Sequence, residues 1–513
     1  MTKWVFLAVR SRLPLAIGLI TALTAILWIA IPAGAASLTT EMVSVSSGGE
    51  QGNGDSFPST GPTSISPNGQ FVVFASSADN LVAGDTNEHF DVFRRDRSSG
   101  QTVRVSVTSS GQQGNGDSGF SGTFSISADG NLVAFDSETS NLVPGDTNRL
   151  PDVFVHVVAT GETTRVSVTS SGRQAQGESF GPAISDDGRL VLFNSGARLL
   201  PEDTNRRLDV YAHDLVTGQI RLVSVSSTGQ LGNDDSFVEG TPSADDRLVA
   251  FTSFASNLVP ADTNDALDSL VHDLATGLTT RVSVSSSGQQ GDSDSFQAHI
   301  SADGRFVAFS SDADNLVRHD TNGFIDAFVR DLKTGNTSLV SKSSAGDEGN
   351  EISCCSKGIS SDGRFVAYRS FASNLVSGDT NEGYDVFLFD RTNGQTVLAS
   401  VSATGEQGVY SDPLGGSYNA AISEDGAWVL FGSVATNFVP GGDTNGPDNG
   451  DTYVRGPFGS GSSAQALART ITSQGNEPGA SAPSRWSPAC RGLSVLERYL
   501  ARLPALAQAA CAM

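Results

Sequence analysis

The sequence predicts an all-β fold: a seven-bladed β-propeller of four-stranded antiparallel blades, closed by an N-terminal strand. Three observations point to it. An Asp-Thr-Asn triplet recurs seven times, with its first residue at Asp85, Asp146, Asp203, Asp262, Asp320, Asp379 and Asp443, at intervals of 61, 57, 59, 58, 59 and 64 residues. A repeat of that length is one supersecondary unit that buries its apolar faces only by stacking on its neighbours. Each unit also reads as four short apolar segments separated by turn signals, the pattern of a propeller blade. Finally, the seventh unit stops after its third segment, Asp451-Thr-Tyr-Val-Arg455, while a spare fourth segment, Met42-Val-Ser-Val-Ser46, precedes the first unit. The expected ring therefore joins its first and last blades through the N-terminal strand, leaving no open seam.

The elements follow in order. Residues 1–36 carry Lys3, Arg10 and Arg12, an apolar run from Leu13 to Ile31, and the small residues Ala33 to Ala36, the layout of an export signal or an N-terminal anchor. Residues 37–458 form the propeller. Each unit opens with strand A and a tight turn, as in Ile184-Ser-Asp-Asp-Gly188 and Ile300-Ser-Ala-Asp-Gly304, where glycine accepts the positive φ that the turn demands. Strand B is a continuous apolar run such as Phe71-Val-Val-Phe74, expected of a strand covered on both faces. Strand C follows the triplet loop, as in Asp385-Val-Phe-Leu-Phe-Asp390. Strand D, as in Arg104-Val-Ser-Val-Thr108, Arg165-Val-Ser-Val-Thr169 and Arg281-Val-Ser-Val-Ser285, alternates Val with Ser and reads as a half-exposed edge. Residues 459–489 form a linker rich in Gly, Ser and Pro, and 490–513 a short helical tail with Leu493, Leu496, Leu500 and Leu503 at helical spacing. A second closing candidate, Ala468 to Asn476, faintly resembles strand D.

The formal charge is −24, and residues 37–458 hold 24 Lys and Arg against 54 Asp and Glu. Such a surface repels nucleic acid and anionic lipid and draws cations or basic partners, unless it serves only solubility. The membrane is reached only through the N-terminal segment, and the closed ring suggests a monomer. Cys354, Cys355, Cys490 and Cys511 have no metal-ligand spacing; in an oxidising compartment they are disulfide candidates, vicinal in the first pair and tail-closing in the second. The six histidines read as out of register, and Gly177-Glu-Ser-Phe-Gly181 and Gly116-Asp-Ser-Gly119 lack the strand-to-helix turn that exposes a nucleophile.

The Ser-x-Asp-Gly turn, the Val-Ala-Phe run after it, and the Asp-Val-Phe-x-x-Asp strand closing on x-x-Gly resemble the propeller repeats of TolB-type proteins, relatives of WD-type repeats. The likeness spans about 420 residues. It implies the fold and little of the function, since such propellers serve as periplasmic docking proteins, peptidase accessory domains and secreted binding proteins. The units here are longer because of the triplet loop, and no TolB-like α/β domain precedes them.

In a blade the D-to-A and B-to-C loops leave on the same face, which would carry a crown of acids and amides. Two acids and an amide recur at offsets 0, 6 and 2: Asp85, Asp91 and Asn87; Asp146, Asp152 and Asn148; Asp203, Asp209 and Asn205; Asp262, Asp268 and Asn264; Asp320, Asp326 and Asn322; Asp379, Asp385 and Asn381. The seventh loop offers Asp443, Asn445 and Asp451, the richest oxygen set. Oxygen side chains at alternate positions suit Ca²⁺, although no third acid or terminal Glu recurs. The same residues also cap turns through backbone N–H groups with no ion at all. The expectation is an exported, non-catalytic binding or docking propeller in the periplasm or outside the cell, with a protein or glycan ligand on this face. The alternative is a secreted polysaccharide lyase or hydrolase using the same face with His89 or His319.

Overall fold

The computed structural model describes residues 38–59, 64–119, 121–411, 415–447 and 449–458. The segment 1–36, the stretch 459–489 and the tail 490–513 lie outside them, as do Cys490, Cys511, the closing candidate 468–476 and the side chain of Cys355. Seven four-stranded antiparallel sheets follow one another, each ordered A-B-C-D. The strands A of neighbouring blades meet, as Ser295–Ile300 meets Ser353–Ile359, which makes A the inner strand of the ring.

Strands B and C are as regular as the sequence suggests. Strand B of blade 5, Phe306–Ser311, and strand C of blade 6, Asp385–Asp390, are buried along their whole length. Stacked aromatic pairs link the two strands within blades, from Phe74 and Phe93 at 5.7 Å to Phe431 and Tyr453 at 5.7 Å. Between blades, Val73, Ala75 and Val92 of blade 1 pack on Phe124, Ile126, Val133 and Phe135 of blade 2, and equivalent clusters recur around the ring. The core is thus continuous through the blades rather than private to each one.

The N-terminal strand closes the ring. Thr39–Met42 runs antiparallel to Asp451–Gly456, in register Thr39 with Gly456 to Met42 with Tyr453, and completes blade 7 as its strand D. The paired segment lies a few residues upstream of the expected 42–46, and this offset recurs in every blade. Strand D of blade 1 is Gln101–Arg104 and that of blade 2 is Glu162–Arg165, so the Val-Ser-Val run follows the strand instead of forming it. The half-exposed alternation is also corrected: Ser44, Ser106, Ser167, Ser224, Ser283, Ser341 and Ser400 are all fully buried. They are there because each meets the buried Asp that begins strand C.

A second correction concerns histidine. His156, His213 and His272 share one register position, the fifth residue of strand C, which Arg95, Arg330 and Arg455 occupy in blades 1, 5 and 7. From there Arg95 donates to Ser46 O at 3.3 Å and Arg455 to Ser402 O at 2.8 Å, and His213 Nδ1 lies 2.8 Å from Val166 O. In blades 1, 3, 5 and 7 the position ties strand C to the end of the preceding blade's strand D, whereas His156 and His272 meet Thr163 and Thr279 of their own strand D and blade 6 has Phe389 there. A long side chain with an N–H group serves, and that requirement hides the repeat behind two residue types.

Candidate functional site

The two long loops do share a face. Strand A starts opposite the end of strand B, Ser179 pairing with Ser195, so the D-to-A and B-to-C loops meet there. The Asn of the Ser-Asn-Leu run clamps them together. In blade 1, Asn80 Nδ2 donates to Gln51 O at 2.8 Å and its Oδ1 accepts from Asn53 N at 3.0 Å. Asn141, Asn257, Asn315, Asn374 and Asn437 repeat both bonds, and only blade 3 departs, with Arg198 at that place.

The triplet Asn holds the same loop from the other side. Asn87 Nδ2 donates to Gly114 O at 3.2 Å and Asn264 Nδ2 to Gly291 O at 2.9 Å, while Oδ1 accepts from the backbone two residues on, as from Leu150 N to Asn148 and from Phe324 N to Asn322. This is an Asx turn. The residue after it takes a positive φ, 58° at Glu88 and at Arg149, a strained state that the turn and its tie sustain. The D-to-A loops are therefore held between the B-to-C loops of two neighbouring blades, except into blade 3, where Arg198 replaces the clamp, and after blade 6, where Asn381 Nδ2 makes no such bond; the seam obeys the same rule, since Asn445 Nδ2 donates to Gly52 O at 3.1 Å.

The two triplet-loop acids converge at the base of this frame. The strand C Asp is almost wholly buried in every blade, from Asp91 to Asp451, and its Oδ1 accepts from the Ser after strand D: Ser106 to Asp91, Ser167 to Asp152 at 2.6 Å, Ser283 to Asp268 at 2.6 Å. In blades 1, 2 and 4 an arginine at the end of strand D reaches both acids. Arg104 lies 2.9 Å from Asp85 and 2.8 Å from Asp91; Arg165 lies 3.5 Å from Asp146 and 2.9 Å from Asp152; Arg281 lies 3.4 Å from Asp262 and 2.9 Å from Asp268. A glutamine from the D-to-A loop adds a donor: Gln174 to Asp146 at 2.8 Å and to Asp152 at 3.2 Å, and Gln51 in blade 7 to Asp443 at 2.7 Å and to Asp451 at 2.6 Å.

The seven copies are therefore not equivalent. Leu222, Leu339, Leu398 and Met42 stand where the arginine does in blades 3, 5, 6 and 7, and Leu231 and Glu348 replace the glutamine in blades 3 and 5. Burial raises the strand C acids there, Asp209 to about 6, Asp326 to about 7 and Asp451 to about 7, and also Asp268 beside Arg281 in blade 4, to about 6. Asp320 and Asp385 are each raised to about 8, by burial first and then by Asp326 and Asp379 respectively. In blade 3 Tyr211 fills part of the gap, its hydroxyl donating to Asp203 at 2.5 Å.

Other singled-out residues sit apart from this frame. His89 Nδ1 lies 3.0 Å from Asp117 on the loop face, His319 is exposed, and Cys354 is buried on strand A of blade 6. The arginine filler went unread in the sequence, although Arg104, Arg165 and Arg281 open the expected strands D and the four apolar exceptions stand in register with them.

No known family profile matches the chain, and no curated protein matches it in sequence. Solved structures similar to it include TolB from Acinetobacter baumannii, 15% identical at a TM-score of 0.35 over 60% of this chain and 61% of that one. Another is an oligogalacturonate lyase from Vibrio parahaemolyticus, 11% identical at a TM-score of 0.46 over 82% and 97%. An acylaminoacyl peptidase from Pyrococcus horikoshii is 10% identical at 0.41 over 76% and 51%. This chain spans less than two thirds of the Acinetobacter TolB.

Proposed function

We propose that the chain is an exported, non-catalytic binding or docking propeller, monomeric, which offers its acidic loop face to a protein or glycan in the periplasm or outside the cell. One observation carries this reading. The polar side chains that break the repeat on strand A and at one register position of strand B, Asp136, Asn194, Gln297, His299, Arg369 and Asn419, are all buried, whereas the loop face keeps its two acids and its amide in every blade and varies only in the side chains around them. A catalytic site needs a unique constellation open to substrate; a repeating, pre-ordered face suits binding, because its loops lose little freedom when a ligand arrives. The acidic surface favours a ligand with basic or multiple hydroxyl groups.

The enzymatic alternative has the His89–Asp117 pair on its side, an imidazole oriented by a carboxylate at 3.0 Å. Glycan and peptide arrays probed with the exported form test the two readings together. Binding that leaves the bound glycan intact supports the docking role. Chain cleavage or new unsaturated ends, abolished in a His89→Ala variant, overturn it. Fractionation of the producing cells tests the export.

A further inference from the structure

We propose that blade 5 holds a divalent cation, calcium by its oxygen ligands, between Asp320, Asp326 and Glu348, at the place an arginine fills in blades 1, 2 and 4. The inference is independent of the ligand taken by the loop face. It begins from an internal comparison: Arg104, Arg165 and Arg281 each put guanidinium nitrogens between the same two acids, so the frame is built to surround positive charge. Blade 5 keeps both acids, replaces the arginine with Leu339, and replaces the bridging glutamine with Glu348. Two neutralising donors are lost and one negative charge is gained. The ligand atoms of Asp320, Asp326 and Glu348 lie within 4.8 Å of one another.

Three of the four blades without the arginine have an orphaned carboxylate oxygen; in blade 7 Gln51 donates to both acids. Asp209 Oδ2, Asp320 Oδ1 and Asp385 Oδ2, in blades 3, 5 and 6, are buried oxygens with no hydrogen-bond partner, and Asp209 and Asp385 are completely buried residues. None of the six acids facing Arg104, Arg165 and Arg281 is left in that state. A buried carboxylate oxygen without a donor is costly, and a cation in the arginine's place satisfies it. Blade 5 is singled out among the three because only there does a third carboxylate join. Of the cationic side chains that blade 5 gains nearby, Lys342 directs its ammonium over the Phe389 ring, 5.4 Å from the centroid, and Arg318 and His319, which precede Asp320, are exposed.

The frame is already braced for an ion. Asn322 donates to Asp326 Oδ2 at 2.7 Å, Ser341 to Asp326 Oδ1 at 2.5 Å, and Thr321 Oγ1 to Glu348 at 3.1 Å, so both loops that supply ligands are held in register. Three carboxylates supply up to six oxygens, enough for calcium with water or backbone completing the shell; magnesium, which demands tight octahedral geometry, fits a buried, partly bonded set less well.

The test is titration calorimetry and thermal melting of the full-length protein with Ca²⁺, Mg²⁺ and chelator. We expect calcium to bind with a Kd of about 10⁻⁴ to 10⁻³ M, the range of extracellular modules, and to raise the Tm by a few degrees, with magnesium at least tenfold weaker. The double variant Leu339→Arg with Glu348→Gln copies blades 1, 2 and 4 into blade 5. It should abolish the calcium heat and melt in chelator at or above the wild-type temperature. Glu348→Gln alone, the milder change, should weaken the Kd tenfold or more. Absence of calcium heat in the wild type overturns the proposal, and so does a calcium response that persists undiminished in Glu348→Gln.

Discussion

Ser44 and Asp451, 407 positions apart in the chain, form a buried pair in which the serine hydroxyl donates to the carboxylate at 2.7 Å. The Ser44 hydroxyl oxygen in turn accepts from Thr452 N at 3.2 Å. Every other blade makes this bond between its strand C and the serine just after its strand D, as Ser400 does to Asp385 at 2.6 Å, so the N-terminal segment brings a side-chain lock to the seam as well as backbone hydrogen bonds. Ser44→Ala should cost about 1–3 kcal/mol, the penalty for orphaning a buried carboxylate oxygen, and removal of residues 37–46 should lower the Tm by several degrees. Urea and thermal unfolding check both; unchanged curves would mean that blade 7 does not need its fourth strand.

Arg165→Leu should be among the more damaging single changes, because it leaves Asp146 and Asp152 buried side by side without their cation. A loss of about 3–5 kcal/mol is expected. Adding Asp146→Asn should recover part of it, by removing the repulsion rather than by restoring the pair. A double variant no more stable than the single one would show that the arginine acts through packing alone.

Asp136 ties stability to pH near neutrality. It is fully buried, and burial pushes it up to about 7 from the ordinary 3.8. The folded state then holds the proton more tightly than the unfolded chain, so this residue's contribution is fully present below about 4 and is lost as pH rises towards 7. Asp136→Asn should stabilise the protein at pH 8 by on the order of 2 kcal/mol and change little at pH 4. Equal effects at both pH values would count against it.

At the acid end the sign reverses. Arg189, Arg247 and Arg305 bond Asp214, Asp273 and Asp331 at 2.7, 2.6 and 2.8 Å, and these bonds hold the three carboxyls well below 3.8. Their stabilisation is present above about 4 and disappears as pH falls below it. The slope of stability against pH between 2 and 4 should flatten in Arg247→Gln. Because the arginines are half-exposed, high salt should flatten it too.

The propeller was legible because its determinants are local. Phe306-Val-Ala-Phe309 can only be a covered strand, Asp303-Gly304 can only be a tight turn, and seven copies of both leave one closed arrangement. Strand D was misplaced because period-2 alternation in Val105-Ser-Val107 suggests a wet edge, whereas Ser106 points inward to a partner fifteen positions earlier. The frame around the acids was only half visible. Asp85, Asn87 and Asp91 lie together in sequence, but Arg104 reaches the two acids from strand D, Gln113 bonds Arg104 and Thr86 from the D-to-A loop, and no local pattern announces that an arginine closes the set. Comparing the copies with one another would have shown it, since Arg and Leu alternate at one register position on an otherwise uniform strand.

The antiparallel seam also decides how the ring yields to force. Thr39 faces Gly456, so the chain enters the last blade and leaves it at the same corner. A load applied between the two ends pulls across the pairing direction, and the four residue pairs from Thr39–Gly456 to Met42–Tyr453 would part in succession, as a zip does, instead of resisting together in shear. The ring can thus be unfastened by tension from one point.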